Sequence, residues 1–211
     1  MYIKALERVA SRYAPSRALS FDVVHVFVAL QLIERNGKTS RNALCEGLAL
    51  GEGTVKTLIK HLKMNGLVQT SNSGTKMTAK GRGICRGILE AMPAEMALPK
   101  CSIALGTFNY AVLVKGFAFA VKSGIEQRDA AIKMGATGAT TLIFKEGRFT
   151  MPATSQDSLK KEMAVRKMLS ANLRPEEDDV IVIGSAESIK TAELAAKNAA
   201  LLTIFSHEKH R

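Results

Sequence analysis

One stretch of this 211-residue chain, residues 38–80, decides the fold of its first half: KTSRNALCEGLALGEGTVKTLIKHLKMNGLVQTSNSGTKMTAK. Ser40 predicts the cap of a first helix with a buried stripe of Ala43, Leu44, Leu48 and Leu50, and residues 54–64 place their apolar side chains at the i, i+3, i+4 and i+7 spacing of an amphipathic helix. The sequence Gly-Glu-Gly at 51–53 predicts a tight turn between them. Residues 67–78 predict two short strands around a polar, glycine-containing hairpin tip. The stretch therefore predicts a helix, a turn, a second helix and a β-hairpin, in that order.

That order of elements is the layout of a winged helix-turn-helix, in which the second helix lies in the major groove of DNA and the hairpin forms the wing. Packing of the second helix against its neighbours requires one apolar face. The apolar stripe of this predicted helix consists of Val55, Leu58, Ile59 and Leu62. The remaining side chains of the helix are left to face DNA.

The outward side chains suit a nucleic-acid partner. Lysine ammonium groups neutralise phosphates and release counterions, while threonine and histidine side chains can hydrogen-bond to base edges. No arginine or asparagine stands on the outward face of this helix, so we expect it to bind mainly the DNA backbone. The residues predicted to contact DNA are Arg41 before the turn, Thr54, Lys56, Thr57, Lys60, His61 and Lys63 in the second helix, and Ser73 and Lys76 in the wing.

The positive charge is concentrated in the same half of the chain. The net charge is +11 at pH 7, which favours a polyanionic partner. Residues 1–92 hold 14 Lys and Arg against 6 Asp and Glu, whereas residues 93–211 hold 16 against 13. A generally basic proteome, or a winged helix that contacts proteins and exposes its lysines to solvent, is the alternative explanation. The uneven distribution favours double-stranded DNA as the partner.

The sequence also resembles known proteins. The run TSRNALCEGLALGEGTVKTLIKHLKMNGLVQT, followed by TKMTAKG, resembles the winged-helix domains of prokaryotic, especially archaeal, transcription regulators. With GIEQRDAAIKMGATGATTLIF and DVIVIGSAESIKTAELAAKNAALL, the whole chain resembles an uncharacterised archaeal family that pairs such a domain with an α/β domain. The resemblance implies transcription regulation by the first domain and no particular function for the second.

A change of composition between Pro93 and Pro99 predicts two domains, residues 1–92 and 100–211. The first combines the winged helix with an N-terminal helical extension. The second alternates predicted strands with helices, which favours an α/β sandwich with at least partly parallel pairing, so that the whole chain is α+β or α/β. Its predicted strands are 103–105, 110–114, 140–144, 148–151, 180–183 and 202–205, and its predicted helices are 124–134, 158–170 and 189–200.

Gly184 and Ser185 follow a hydrophobic predicted strand and precede a helix. Free N–H groups at a helix N-terminus, with a hydroxyl nearby, can hold a phosphate or carboxylate. The stretch has neither the GxGxxG nor the P-loop pattern, and Glu187 would repel an anion. The alternative is an ordinary strand-to-helix turn, capped by Ser185 or Ser188.

A second candidate ligand site lies earlier in the predicted α/β domain. Glu126, Arg128 and Asp129 crowd the first turns of a predicted helix, and Thr137 stands in the Gly-Thr loop after it. The polar groups could bind a small-molecule effector over that loop. In the alternative interpretation, the carboxylates favour the helix dipole and Arg128 pairs locally.

A helix predicted over residues 20–37 is apolar almost all round, so it must be covered on more than one side. The N-terminal helix, the second domain or a second copy of the chain could cover it. Because two-fold operators need two reading helices, we expect a homodimer.

No catalytic or metal-binding constellation is evident. The three cysteines (Cys45, Cys85 and Cys101) and four histidines lack metal-ligand spacing, so the sequence predicts no metal, no cofactor and no catalytic residue. The most apolar run, 21–33, is too short to span a membrane, and a cytoplasmic location is expected. The leading hypothesis is a DNA-binding transcription regulator that is not an enzyme, with a second domain for ligand sensing or assembly. The alternatives are an enzyme acting on a nucleotide or phosphorylated metabolite, and a protein-interaction scaffold.

Overall fold

The architecture is mixed α+β, as the sequence predicts. A computed structural model describes residues 2–11, 18–152, 154 and 156–208. The chain folds into two compact units, Met1–Leu89 and Glu90–Arg211. Both sheets are antiparallel throughout. None of the described helices has the length and hydropathy that a membrane span requires.

The first unit consists of helices with one β-hairpin. Its helices are α1 (Tyr2–Val9), α2 (Val23–Asn36), α3 (Arg41–Leu48), α4 (Glu52–Met64) and α5 (Ala79–Ala91), and its strands are β1 (Val68–Ser71) and β2 (Gly74–Met77). Thr39 forms an antiparallel bridge to strand β2 of the hairpin. In this bridge, Thr39 and Thr75 exchange two backbone N–H···O hydrogen bonds of 2.9 Å. The residue before α3 is thereby tied to the returning strand.

Helix α2 is the centre of the first unit. Seven of its apolar side chains are at most 1% exposed: Val24, Val26, Phe27, Val28, Ala29, Leu30 and Ile33. Elements α1, α3 and β2 pack against α2 and bury these apolar side chains within the first unit. The helix therefore offers no apolar face to a second copy of the chain, and the expectation of a homodimer loses the packing argument on which it rested.

The turn between α3 and α4 lies two residues earlier than the sequence predicts. Ser40 caps α3 by accepting a hydrogen bond from the Ala43 N–H at 3.1 Å. The helix ends at Leu48, and Ala49 takes a left-handed conformation with φ 53°. Since the carbonyl of Gly51 accepts from Val55 N–H at 3.0 Å, the two residues after it already belong to α4. The predicted turn over 51–53 is therefore wrong, and the turn spans 49–51.

The second unit is built on five strands and three α-helices. The strands are β3 (Glu95–Leu98), β4 (Phe108–Val114), β5 (Gly138–Lys145), β6 (Arg148–Thr150) and β7 (Val180–Ala186), and the helices are α6 (Ile125–Ile132), α7 (Met163–Leu173) and α8 (Ile189–Glu208). The order of strands in the sheet is β3-β4-β7-β5-β6. Every residue of the central strand β7 is buried.

The predicted parallel pairing is wrong. Strands β4 and β5 do run in the same direction, with α6 between them, but β7 lies between the two and is antiparallel to both. When a helix connects two strands, the strands can run in the same direction without being neighbours in the sheet. Here the connection through α6 leaves room for one strand between β4 and β5, and β7 occupies it. The pairing partner comes from about 40 residues further along the chain than β5.

Helices cover both faces of this sheet. On one face, α7 contributes Val165, Leu169 and Leu173 to a core that includes Leu113 and Ile181. On the other face, alanines of α6 and α8 allow the helices to approach closely; they include Ala131, Ala192 and Ala195, which pack with Ala186 of β7. The second unit therefore has three layers, with β7 in the middle of the central one.

Three predicted elements of the second unit differ from the structure. Residues 202–205 are the continuation of α8, not a strand, because Leu201 and Ile204 lie on its buried side. Residues 103–105 form no strand; Ala104 makes only an isolated bridge to Cys101. The helix predicted over 158–170 begins later, at Met163. Strand β3, which the two flanking prolines concealed, was missed.

Candidate nucleic-acid interface

Helix α4 presents two distinct faces. Val55, Leu58 and Leu62 have no exposed surface, and Ile59 is half-buried. Opposite them, Lys56, Lys60 and Lys63 are exposed. The spacing i, i+4 and i+7 places these three side chains along one side of the helix. We call Lys56, Lys60 and Lys63 the α4 lysine stripe.

The stripe has no acidic partners in the part of the chain that the structure describes. None of the described carboxylates lies within ion-pair distance of the three ammonium groups. The acidic residue of this helix, Glu52, is instead paired with Arg41, whose Nη1 lies 2.9 Å from its Oε1. The positive charge of the stripe is therefore available to a phosphate backbone.

The threonines of α4 are less available than the sequence suggests. Thr54 and Thr57 are both half-buried. The Thr57 hydroxyl donates to the carbonyl of Gly53 at 3.0 Å, one turn earlier in the same helix. Such a bond occupies the hydroxyl proton and leaves only its lone pairs for a base edge.

The predicted DNA contact of His61 is wrong. His61 is 6% exposed, and its Nδ1 lies 2.8 Å from the carbonyl oxygen of Val9. Its ring also packs edge-on against Phe21, with centroids 5.5 Å apart. The imidazole therefore holds α4 against α1 and the segment before α2, on the side of the helix away from the lysine stripe.

The hairpin tip is exposed and polar. Lys76 of β2 stands opposite Gln69 of β1, and both are exposed. The Ser73 hydroxyl lies 2.9 Å from that of Ser71 and also accepts from the ammonium of Lys38. The sequence analysis did not predict a role for Lys38. Lys38 lies beside the wing because the next residue, Thr39, bridges to β2.

Arg41 lies at the first residue of α3, where its predicted role was a phosphate clamp. Its guanidinium and the Glu52 carboxylate are 48% and 70% exposed, so water screens their attraction strongly. Four further N–H donors of the guanidinium remain for other acceptors. The ion pair therefore connects the beginnings of α3 and α4 without burying the arginine.

Gly184 and Ser185 are not free to contact an anion, because helix α8 packs directly on Gly184. A Cβ at Gly184 would lie 2.5 Å from the carbonyl oxygen of Ala192 and 2.7 Å from the nitrogen of Ala196. The Ser185 hydroxyl is buried and donates to Oδ1 of Asn109 at 2.8 Å. It does not cap α8; the Ser188 hydroxyl does so, accepting from Thr191 N–H at 3.1 Å.

The other predicted ligand residues lie on the surface of α6 and the loop after it. Glu126, Arg128, Asp129 and Thr137 are all exposed. The Arg128 guanidinium is 3.0 Å from Oδ1 of Asp129, which is the local pairing given above as the alternative. The backbone N–H of Thr137 donates to the carbonyl of Ser185 at 2.8 Å, which ties the loop to β7. This arrangement is a solvent-exposed ion pair beside a loop fixed to the sheet.

Burial disfavours the thiolate form of two of the three cysteines, Cys85 and Cys101. Burial, with the nearby Glu34 carboxylate, raises the pKa of Cys85 to about 11, against the opposing effect of Arg86. Burial likewise raises the pKa of Cys101. Because the thiolate is the reactive form, neither side chain is activated at neutral pH. Among the described residues, no group of three or more His, Cys, Asp or Glu side chains could hold a metal ion.

Comparison with known proteins gives a family description and a related structure. Residues 105–204 match the family described as "Domain of unknown function (DUF4443)". The solved structure of "Hypothetical protein PH0730 from Pyrococcus horikoshii OT3" is similar, with 26% identity and a TM-score of 0.69, over 87% of this chain and 93% of that one. A search of curated proteins gave no match. These likenesses support the resemblance to an uncharacterised archaeal family, and neither description specifies a DNA-binding or catalytic activity.

Proposed function

We propose that the first unit is a winged helix-turn-helix that binds duplex DNA with α4 in the major groove, and that the protein regulates transcription. The α4 lysine stripe is the observation that carries this proposal. Three cations on one exposed helix side, without carboxylates in ion-pair reach among the described residues, match a row of phosphates. Charges of alternating sign along such a face would instead indicate a solvent-exposed helix with salt bridges along it.

The elements around α4 support the same proposal. Helix α3, a three-residue turn and α4 are followed directly by the β1–β2 hairpin, which is the order in which winged helices place a reading helix and a wing. Lys38 and Lys76 bring two further cations to the hairpin. The wing would therefore contact the DNA backbone or the minor groove next to the major groove that α4 enters.

The proposed binding is strong in backbone contacts and weak in base readout. With His61 buried and the Thr57 hydroxyl proton used inside the helix, the exposed side of α4 offers mainly lysine. Lysine is a point charge, whereas base discrimination depends on side chains that make paired hydrogen bonds. We expect affinity to vary little among duplex sequences and steeply with salt concentration.

The test is the double variant Lys56→Ala, Lys60→Ala, measured by fluorescence anisotropy on several labelled duplexes. Removing two phosphate contacts should weaken binding by about tenfold or more on every duplex and lower the slope of log K against log salt by about 1.8. Lys122→Ala, Lys133→Ala is the matched control, because it removes the same charge from two exposed lysines of the second unit. Equal affinity and salt slope in wild type and the Lys56, Lys60 variant would assign α4 to another kind of partner, such as a protein.

Homodimerisation and ligand sensing by the second unit remain hypotheses of the same proposal. The symmetry of operators is now the argument for a dimer, since α2 is covered within its own unit. A monomeric mass at micromolar concentration, with and without duplex, would contradict the dimer. An enzymatic role at Gly184 and Ser185 is not proposed, because α8 fills that crevice.

A further inference from the structure

A cavity in the second unit is lined by Arg148 of β6, by described residues of the segment that follows it, and by Arg166 near the beginning of α7. Its volume is about 1360 Å³, and it is broadly open to solvent. Small-molecule sites usually enclose several hundred Å³, so a nucleotide-sized ligand would fit within it. The cavity includes none of the residues for which the sequence predicts ligand binding. Its polar lining comes from segments separated along the chain, from Ser102 to Arg166.

The ionisable lining is mostly cationic. Arg148, Lys160, Lys161 and Arg166 line the cavity, against one carboxylate among the described lining residues, that of Asp157. Residues 145–167 hold six Lys and Arg and three Asp and Glu, an excess of three positive charges. Since residues 93–211 as a whole also have an excess of three, the rest of this half of the chain is neutral. The net positive charge of residues 93–211 therefore falls within the segment that supplies most of the cavity's lining.

Arg166 is held in a fixed orientation at the cavity wall. Its side chain is 30% exposed, and Nη1 forms an ion pair with Oδ2 of Asp157, which is itself 12% exposed. Its Nη2 donates to the carbonyl of Gly147 at 2.7 Å. Two of the five guanidinium N–H donors are used in this way, which leaves three for a ligand. A cation that is already oriented loses little rotamer freedom when it binds an anion.

Lys160 and Lys161 add two exposed positive charges to the cavity. Both are exposed, and no described carboxylate lies within ion-pair distance of either ammonium group. Arg148, which also lines the cavity, pairs with Glu146, and the two side chains are 48% and 63% exposed. The two lysines are therefore the cations of the cavity with unmatched charge.

We propose that this cavity binds a small molecule carrying one or more phosphate groups. A phosphate offers several acceptor oxygens and about two negative charges, which matches an oriented guanidinium beside two unpaired ammonium groups. The concave shape favours a small ligand over the convex backbone of a duplex. This site would supply the ligand sensing of the second unit, but the binding itself does not depend on DNA binding by the first.

Isothermal titration calorimetry with inorganic pyrophosphate and with ATP, on the full chain, tests the proposal. Wild type should bind pyrophosphate with a submillimolar Kd at about 0.1 M salt, and Lys160→Ala, Lys161→Ala should weaken binding by about tenfold or more. Both lysines are exposed, so the variant should keep its fold. The control Lys122→Ala, Lys133→Ala removes the same net charge and should stay within about twofold of wild type. No binding by wild type, or equal losses in the two variants, would overturn the proposal.

Duplex DNA distinguishes the two sources of phosphate. The proposal expects Lys160→Ala, Lys161→Ala to bind a labelled duplex as wild type does, while Lys56→Ala, Lys60→Ala keeps full affinity for pyrophosphate. A loss of duplex binding in the first variant, without a loss of pyrophosphate binding, would assign these lysines to DNA and overturn the small-ligand site. Failure of DNA binding in wild type would contradict the function proposed for the first unit and leave the pyrophosphate result unaffected.

Discussion

Replacing Lys197 by methionine should lower the free energy of unfolding by about 3 kcal/mol at neutral pH, because it leaves two nearly buried carboxylates without their shared cation. Lys197 of α8 is 1% exposed; its ammonium lies 2.7 Å from Glu193 and 3.0 Å from Glu95, whose side chains are 16% and 18% exposed. The ring of Tyr110 lies 5.8 Å from the same nitrogen and adds a cation–π attraction. Methionine has a similar length and no charge.

The loss should depend on pH. Burial by itself raises the pKa of Glu193, but the charge of Lys197 and hydrogen bonds from Lys190 and Lys197 outweigh it and hold that pKa below its ordinary value. In wild type, the ion pair of Glu193 and Lys197 therefore stabilises the fold at pH values above the ordinary pKa of a glutamate. This contribution is lost as the pH falls through the lowered pKa of Glu193. Without Lys197, burial and repulsion from Glu95 should raise the pKa instead. The difference in stability between wild type and variant should therefore be largest near pH 7 and shrink toward about pH 4.

Urea unfolding followed by circular dichroism at both pH values measures the difference. The matched control is Lys190→Met, which removes a cation from the same Glu193 carboxylate, at 2.7 Å, but from a side chain that is 32% exposed. Its cost should stay below about 1 kcal/mol. Equal stabilities of Lys197→Met and wild type at pH 7 would show that the two carboxylates are adequately solvated without the lysine.

Local patterns made most of the first unit predictable, with the turn at 49–51 as an exception. Helix faces, the Ser40 cap and the hairpin tip depend on residues within one or two turns of each other, and these elements have the positions that their spacing indicates. The side of α4 on which His61 lies could not be predicted in this way. Its burial depends on Val9, 52 positions earlier, and on Phe21, and no periodicity in α4 records those partners.

In the second unit, the positions of most strands could be predicted but not their pairing. Apolar runs located β4, β5 and β7, whereas the insertion of β7 between the other two is a long-range choice that leaves no local pattern. The apolar residues after Ala200 suggest a strand, but helix α8 continues through them. Tertiary packing on the sheet there overrides a weak β preference.

The two candidate ligand sites considered for the second unit differ in how visible they are in the sequence. Gly184 and Ser185 stand in a suggestive strand-to-helix turn, yet the small residues there serve close packing by α8. The cationic cavity has no motif, because Arg148, Lys160 and Arg166 come together only when β6, a loop and α7 have folded. The concentration of charge in residues 145–167 is the sequence signal that could have indicated it.

Gly184→Ala should lower the free energy of unfolding by about 3 kcal/mol, because the added methyl group has no space and its neighbours cannot rotate away. The new Cβ would lie 2.5 Å and 2.7 Å from the Ala192 oxygen and the Ala196 nitrogen, which are backbone atoms of α8. Relief requires α8 to move away from the sheet, which would open contacts along β7, where every residue is buried. Urea unfolding followed by circular dichroism gives the change directly.

Gly138→Ala, in the neighbouring strand β5, is the matched control. The two glycines lie one register position apart across the β5–β7 ladder, where Gly138 faces Ser185 and Ala139 faces Gly184. A Cβ at Gly138 would have only Cγ of Arg128, at 3.8 Å, as a neighbour, so this variant should stay within about 0.5 kcal/mol of wild type. If Gly184→Ala were equally mild, α8 would be able to lift from β7. The turn at Gly184 and Ser185 would then regain the space for a ligand that the packed helix denies it.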